Sequence, residues 1–126
     1  MINIRKFLPL VLLPVLFAGC SSITNLTPQQ QTRNATGLYP VEVALASRQQ
    51  TLVWDTIQPY VVVGVDFYPM RPTALMKNRW ETLLPVAAAT NAVHYKFKFD
   101  YKYNSIGPRR EDSKLSPEFR LQIVDK

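Results

Sequence analysis

The strongest pattern in the chain is an unbroken alternation of apolar and polar residues over positions 93–103. Successive side chains of a β-strand point to opposite faces of a sheet, so this period of two predicts a strand with one apolar and one polar face. The apolar face is mostly aromatic and the polar face mostly cationic: the first comprises Val93, Tyr95, Phe97, Phe99, Tyr101 and Tyr103, and the second His94, Lys96, Lys98, Asp100 and Lys102. So large an aromatic face must pack against another layer, most simply a second sheet.

Shorter segments of alternating or β-branched residues predict further strands. They are bounded by proline, glycine or polar residues and span 38–46, 51–57, 60–63, 66–70, 79–86 and 118–124. Pro59 is expected to separate two of these strands. Residues 73–78 are expected to be a loop or a single helical turn, and residues 104–117 a long exposed loop. About seven short strands without a convincing helical period predict an all-β fold, an immunoglobulin-like β-sandwich, with a small β-barrel as the main alternative.

The first part of the chain has a different composition. Two basic residues, Arg5 and Lys6, precede an apolar run over 7–17 that contains two prolines, and small residues then lead to Cys20. A short basic region, a short apolar region and small residues before a cleavage point are typical of a secretory signal peptide. The run is too short to span a bilayer well. Residues 1–19 are therefore predicted to be a signal peptide.

Residues 16–20, Leu-Phe-Ala-Gly-Cys, resemble the lipobox of bacterial lipoproteins, in which a small residue and a glycine precede the cysteine. The resemblance implies cleavage after Gly19 and lipid on the sulfur and the amino group of Cys20, which would hold the protein firmly on a membrane of the cell envelope. Ser21 and Ser22 follow the cysteine in place of an aspartate, which by the same resemblance favours the outer membrane. Cys20 is the single cysteine of the chain, so an internal disulfide is excluded.

A polar segment over 20–36 is rich in Gln, Thr and Asn and lacks a hydrophobic period. This composition predicts a flexible tether between the lipid and the folded domain, with Ile23 and Leu26 as the residues able to dock on that domain. The β-sandwich domain is then expected to span residues 37–126.

The charge of the chain limits the choice of partner. Removing Arg5 and Lys6 with the signal peptide from the 15 basic residues leaves 13 against 9 acidic ones, a formal net charge near +4. This mild basic bias favours anionic surfaces such as lipid headgroups or acidic polysaccharide. Nucleic acid is not predicted as a partner, because the chain has no basic motif of a nucleic-acid-binding fold.

Residues suited to catalysis or metal binding are sparse. His94 is the single histidine and lies on the polar face of its strand, so it is predicted to be solvated rather than a ligand or a triad member. Glu111 and Asp112 adjoin each other beside Arg109 and Arg110, and a weak calcium site there is the alternative to an ordinary soluble run. No phosphate-binding loop or nucleophile elbow is present. The sequence therefore predicts no enzyme, no cofactor and no metal.

The polar face of the 93–103 strand is the first candidate binding surface. Lys96, Lys98 and Lys102 form a ladder on it, and such lysines commonly keep an aromatic strand from pairing with other chains. The alternative is a docking face for an acidic protein or an anionic polymer, extended by Arg109 and Arg110.

Aromatic residues supply the second candidate surface. Most of them are expected in the core, and Trp54 is the expected exception because Leu52 and Thr56, its neighbours on the same face, are of mixed character. An exposed Trp54 would be a glycan contact if two or three coplanar exposed aromatic rings lay together beside polar residues.

Residues 37–126 also resemble the small immunoglobulin-like domains of envelope lipoproteins. The resemblance is carried by residues 37–39 (Gly-Leu-Tyr), 68–70 (Tyr-Pro-Met), 79–81 (Arg-Trp-Glu), 95–103 and 116–119 (Ser-Pro-Glu-Phe). It implies no particular activity, since fold analogy does not supply function. The expected function is a lipid-anchored, non-enzymatic interaction or structural module that attaches to or stabilises an envelope complex. A carbohydrate-binding module for cell-wall or surface glycan is the alternative.

Overall fold

The computed structural model of the chain describes residues 21–125. Within this range the chain forms ten strands: β1 (Ser21–Asn25), β2 (Gln30–Thr32), β3 (Leu38–Ser47), β4 (Leu52–Val63), β5 (Asp66–Pro69), β6 (Arg71–Pro72), β7 (Arg79–Pro85), β8 (Ala92–Tyr103), β9 (Arg110–Leu115) and β10 (Phe119–Val124). The predicted signal peptide and the predicted lipidation of Cys20 lie outside the described residues and stay predictions.

The strands form two sheets that pack face to face. One sheet has four strands in the order β1-β3-β7-β6, and the other has six, in the order β2-β10-β8-β4-β5 with β9 beside β8. The first segment of the chain is divided between the sheets as β1 and β2, and β9 and β10 lie in succession along one edge of β8. This order matches the ABED and CFG sheets of the immunoglobulin fold, so the prediction of an immunoglobulin-like β-sandwich is confirmed.

The alternation in β8 places its aromatic residues in the core, as predicted. The side chains of Phe97 and Phe99 are completely buried, and Tyr95 is nearly so. The ring of Phe99 packs against the ring of Trp80, which belongs to the opposite sheet. The two rings meet edge to face, and their centroids are 5.6 Å apart. This arrangement suits the charge distribution of aromatic rings and brings the two sheets into contact in the core.

Strand β4 continues without a break through Pro59, so the predicted interruption there is wrong. Its pairing with β8 shifts register between Val53 and Gln58, which places a bulge before the proline. The carbonyl oxygen of Pro59 accepts the N–H of Met70 on the side of β5. The N–H and C=O of a strand residue point to the same side, so the donor that Pro59 lacks would have faced the end of β5. Its absence therefore does not interrupt the hydrogen bonds between β4 and β8.

The segment predicted as a tether is largely part of the sandwich, so that prediction is wrong for β1 and β2. β1 pairs with β3 in one sheet, and β2 pairs in parallel with β10 in the other. Between them Thr27 is buried; its hydroxyl donates to the carbonyl oxygen of Glu42 (3.1 Å) and accepts the N–H of Glu42 (3.0 Å). Ile23 packs against the core, as anticipated. The sandwich therefore extends to Ser21, the residue directly after Cys20.

Part of the predicted loop over 104–117 is also a strand. β9 pairs with the second half of β8, and residues 104–109 form the hairpin loop between them. Ser116 then bridges β9 and β10: its N–H donates to the carbonyl oxygen of Phe97 (2.9 Å), and its hydroxyl accepts the N–H of Phe97 (2.8 Å). The hydroxyl thus satisfies a buried amide at the point where Pro117 interrupts the edge strand.

Candidate functional site

The predicted lysine ladder lies on the outer face of the six-stranded sheet. Across the strands, Lys98 stands between Tyr60 of β4 and Leu115 of β9, and Lys96 stands beside Val62, whose partner on β5 is Phe67. We call the set Tyr60, Phe67, Lys96, Lys98 and Leu115 the outer sheet face. Phe67 and Leu115 are 50% and 56% exposed, so two large apolar side chains flank the lysines on this face.

Two of the three lysines have an acidic neighbour. The Lys98 ammonium lies 3.3 Å from an Asp100 carboxylate oxygen and 5.4 Å from the centre of the Phe67 ring, an arrangement typical of a cation–π contact. The Lys102 ammonium lies 3.8 Å from a Glu111 carboxylate oxygen. Lys96 is absent from the ion pairs of residues 21–125. Exposed ion pairs contribute little stability, so the lysines stay available to a partner.

Arg109 and Arg110 are separated from the ladder. Arg109 lies in the hairpin loop, where its guanidinium donates to the Asn104 side-chain oxygen (3.3 Å). Arg110 opens β9 opposite Tyr103, which belongs to the inner-facing set of β8 rather than to the lysine set. The structure therefore brings the three lysines together on one face and places the two arginines at the end of the sandwich.

Trp54 is 43% exposed, whereas Trp80 is buried, which agrees with the sequence expectation for both residues. Trp54 lies within the irregular stretch of β4, between Val53 and Gln58, and shares a shallow hollow with Asp55, Lys77 and the buried Trp80. It belongs to none of the aromatic ring pairs of the described residues, and the exposed Phe67 meets Tyr60 edge to face at 71°. Trp54 thus offers a single aromatic surface rather than a coplanar platform.

Glu111 and Asp112, the residues of the alternative calcium site, do not share a face of the sheet. The two residues are adjacent on β9, so their side chains project to opposite sides of the sheet. Glu111 lies beside Lys102, whereas Asp112 faces Tyr101 across the ladder. The described residues contain no group of three His, Cys, Asp or Glu side chains that could hold a metal ion.

The single histidine is exposed, as predicted. Its Nδ1 atom lies 3.7 Å from a carboxylate oxygen of Glu118, and both side chains are more than half exposed. Neither residue lies in an enclosed cleft. The geometry is that of a solvated surface pair rather than of a catalytic base and its orienting group.

Tyr101 of β8 is a titratable group in a perturbed environment. Partial burial raises the pKa of the Tyr101 phenol above its ordinary value of 10.0, and the negative charge of Asp112 adds to the effect. The phenol donates a long hydrogen bond of 3.4 Å to the Asp112 carboxylate. A phenol held neutral beside an exposed carboxylate lacks the depressed pKa of an activated nucleophile, so it does not indicate catalysis.

The sequence did not reveal the apolar part of the outer sheet face. Phe67 lies in a strand too short to establish a period, and Leu115 was placed in a loop. Leu115 is a single large apolar residue in a polar stretch, and this is the signal by which it could have been recognised. Phe67 lies among other apolar residues, so the sequence carries no such signal for it.

Comparisons with known proteins add little to this geometry. No protein-family profile and no curated protein sequence matches the chain. Among solved structures, murine CRIg is similar, with 10% sequence identity, a TM-score of 0.41, and coverage of 83% of this chain and 98% of that chain. The fold assignment rests on the strand order described above. Residues 21–125 hold no helix with the length and apolarity needed to cross a membrane.

Proposed function

We propose that the protein is a lipid-anchored, non-enzymatic interaction module of the bacterial cell envelope, which binds an acidic protein partner through its outer sheet face. The observation that carries the proposal is the position of Phe67 and Leu115, each at least half exposed, on either side of Lys96 and Lys98. Exposed aromatic and aliphatic side chains bury area on binding, and neighbouring cations select an acidic partner and accelerate its association.

The proposed anchor is lipid on Cys20, as the lipobox resemblance implies. Its test is Cys20→Ser, which should leave an uncleaved and unlipidated precursor in a lipoprotein-processing bacterium. If this variant migrated on a gel like the mature protein and associated normally with the membrane, the lipid anchor would be contradicted. This outcome does not depend on the test of the outer sheet face.

The partner surface can be tested by photo-crosslinking in intact cells. A photoreactive amino acid placed at Phe67 or at Leu115 should capture one recurrent envelope protein. Leu83 provides the matched control, because it is similarly exposed (51%) but lies on the opposite, four-stranded sheet. The same crosslinked proteins at all three positions, or none at Phe67 and Leu115, would contradict the proposed surface.

The contribution of charge can be separated from that of the apolar side chains. Lys96→Glu combined with Lys98→Glu reverses the charge of the outer sheet face and leaves Phe67 and Leu115 in place. We expect the crosslink from Leu115 to be lost, because like charges across an interface oppose association. A crosslink of unchanged yield would show that the partner does not recognise the lysines.

Glycan binding is the second candidate and rests on the exposure of Trp54 alone. Stacking on a sugar ring would use the free face of its indole, with Asp55 and Lys77 nearby for hydrogen bonds. Trp54→Ala should then reduce retention of the protein on cell-wall polysaccharide while leaving the photo-crosslinks unchanged. Unchanged retention would contradict glycan binding at this residue.

A further inference from the structure

Three loops and the first described residue meet at one end of the sandwich, which we call the anchor end. The loops are residues 48–51, 73–78 and 104–109. A backbone hydrogen bond joins two of them, since the Asn104 N–H donates to the Thr51 carbonyl oxygen (2.8 Å). The third loop is tied to the end of β3, where the Leu45 N–H donates to the Asn78 carbonyl oxygen (3.0 Å). Ser21 reaches the same end, because it pairs with Ser47, the last residue of β3.

The loops of the anchor end present apolar side chains to solvent. Leu75 and Ile106 are fully exposed and are the most exposed large hydrophobic residues of the described chain. Leu75 also has a φ of 62°, in the left-handed region that disfavours residues with a side chain. A leucine that is both strained and fully solvated contributes nothing favourable to the folded domain by itself, which points to a role outside it.

The same loops are cationic. They contain Arg48, Lys77 and Arg109 and no acidic residue. None of these three takes part in an ion pair among residues 21–125, and all three are exposed. At the opposite end, by contrast, the Arg33 guanidinium is held 2.7 Å from the Asp125 carboxylate.

Exposed apolar side chains beside basic side chains that form no ion pair match the chemistry of a phospholipid surface. The apolar side chains enter the boundary between headgroups and acyl chains, and the cations attract anionic headgroups. The position of Ser21 selects this ligand over a soluble one. Cys20 is bonded directly to Ser21, so a lipid on Cys20 would enter the bilayer within one residue of the anchor end.

We infer that the anchor end rests on the bilayer that holds the Cys20 lipid, with Leu75 and Ile106 inserted at the headgroup level and Arg48, Lys77 and Arg109 on anionic headgroups. This inference rests on the lipid anchor of the proposed function and assigns the surface that the anchor positions. In antibody variable domains, loops at the corresponding end bind antigen. Here they contact the membrane, which leaves the outer sheet face free for a protein partner.

The test uses the full lipidated chain in vesicles that contain phosphatidylglycerol and a lipid with a spin-labelled headgroup. Separate Leu75→Cys, Ile106→Cys and Val65→Cys variants carry an environment-sensitive fluorophore; the Cys20 thiol is blocked by its lipid. Val65 is the matched control, since it is also exposed and apolar but lies in the β4–β5 hairpin at the opposite end. We expect the headgroup quencher to reduce the emission at positions 75 and 106 severalfold more than at position 65.

Flotation of the same vesicles separates the two possible failures. A chain that floats with the vesicles but is quenched equally at positions 65, 75 and 106, or at none of them, would overturn the docking of the anchor end and leave the lipid anchor intact. A chain that does not float at all would overturn both the anchor and the docking surface.

Discussion

The ammonium group of Lys114 donates to the backbone carbonyl oxygen of Ser21 at 2.7 Å and to the Ser21 hydroxyl at 2.5 Å. Lys114 belongs to β9 in the six-stranded sheet, and Ser21 begins β1 in the four-stranded sheet. This contact therefore closes the gap between the two sheets at the anchor end. It also holds in place the residue to which Cys20 is bonded.

We expect Lys114→Met to loosen the start of β1. Methionine keeps an unbranched apolar stem but cannot donate to Ser21, and a hydrogen bond from a charged group contributes about 1.5 kcal/mol or more. Amide hydrogen exchange in residues 22–25 should accelerate, and the free energy of unfolding should fall by about 1.5 kcal/mol. Lys77→Met, at an exposed loop position, should change neither quantity measurably. Unchanged exchange in Lys114→Met would show that β1 is held by its pairing with β3 alone.

We expect Ser116→Ala to destabilise the fold by about 1–3 kcal/mol, because it leaves the buried N–H of Phe97 without an acceptor. Ser113→Ala is the matched control, since the Ser113 hydroxyl donates to Asp100 on the exposed face and its loss should cost less than about 0.5 kcal/mol. Urea denaturation of both variants measures the difference. Equal stability of the two variants would mean that water satisfies the Phe97 amide.

The sequence predicted the core most accurately where apolar and polar side chains alternate with the two-residue period of a strand. The alternation around Phe97 and Phe99 predicted which face of β8 is buried, because a strand with one apolar face has a single favourable orientation. The prediction at Pro59 was wrong because the effect of a proline on a strand depends on the neighbouring strand and not on the local pattern. The side chain of Pro59 is buried and its missing N–H lies beyond the end of β5, and neither fact is visible without the neighbouring strand.

The strands that the sequence missed are edge strands with few core contacts. β9 consists mainly of charged and polar residues, and β2 of Gln and Thr, so neither shows a hydrophobic period. Backbone pairing with β8 and β10 holds them instead. Charged side chains on an edge strand also discourage pairing with other chains, so they are compatible with a strand although they resemble a loop.

The candidate surface was predicted in part. The common face of Lys96, Lys98 and Lys102 follows from the two-residue period, but the separation of Arg109 depends on where the hairpin turns. Leu75 and Ile106 lie in loops without any period, so the sequence did not indicate that both reach the end occupied by Ser21. That relation follows from the order of the strands, which local patterns do not specify.

Tyr101 should make the stability of the protein depend on alkaline pH. Burial, and then the charge of Asp112, raise the pKa of its phenol in the folded state above the unfolded value of 10.0. The resulting stability is complete below that value and is lost as the pH rises through the folded pKa. Tyr101→Phe should therefore lose less stability than the unmodified chain as the pH rises above about 10, measured by urea midpoints. Asp112→Asn should retain part of the pH dependence, because burial of the phenol remains. The same change of urea midpoint with pH in all three proteins would contradict the assignment to Tyr101.

Leu75→Gly should stabilise the fold while it weakens contact of the anchor end with the bilayer. Glycine adopts a φ of 62° without steric cost, so we expect the free energy of unfolding to rise by about 0.5–1 kcal/mol after allowance for the extra freedom of glycine in the unfolded chain. Ala74→Gly is the control, because a neighbour without positive φ should gain no stability. Urea denaturation tests the first effect, and headgroup quenching of a fluorophore at Ile106→Cys tests the second. A less stable Leu75→Gly would mean that the leucine supports the loop rather than a membrane contact.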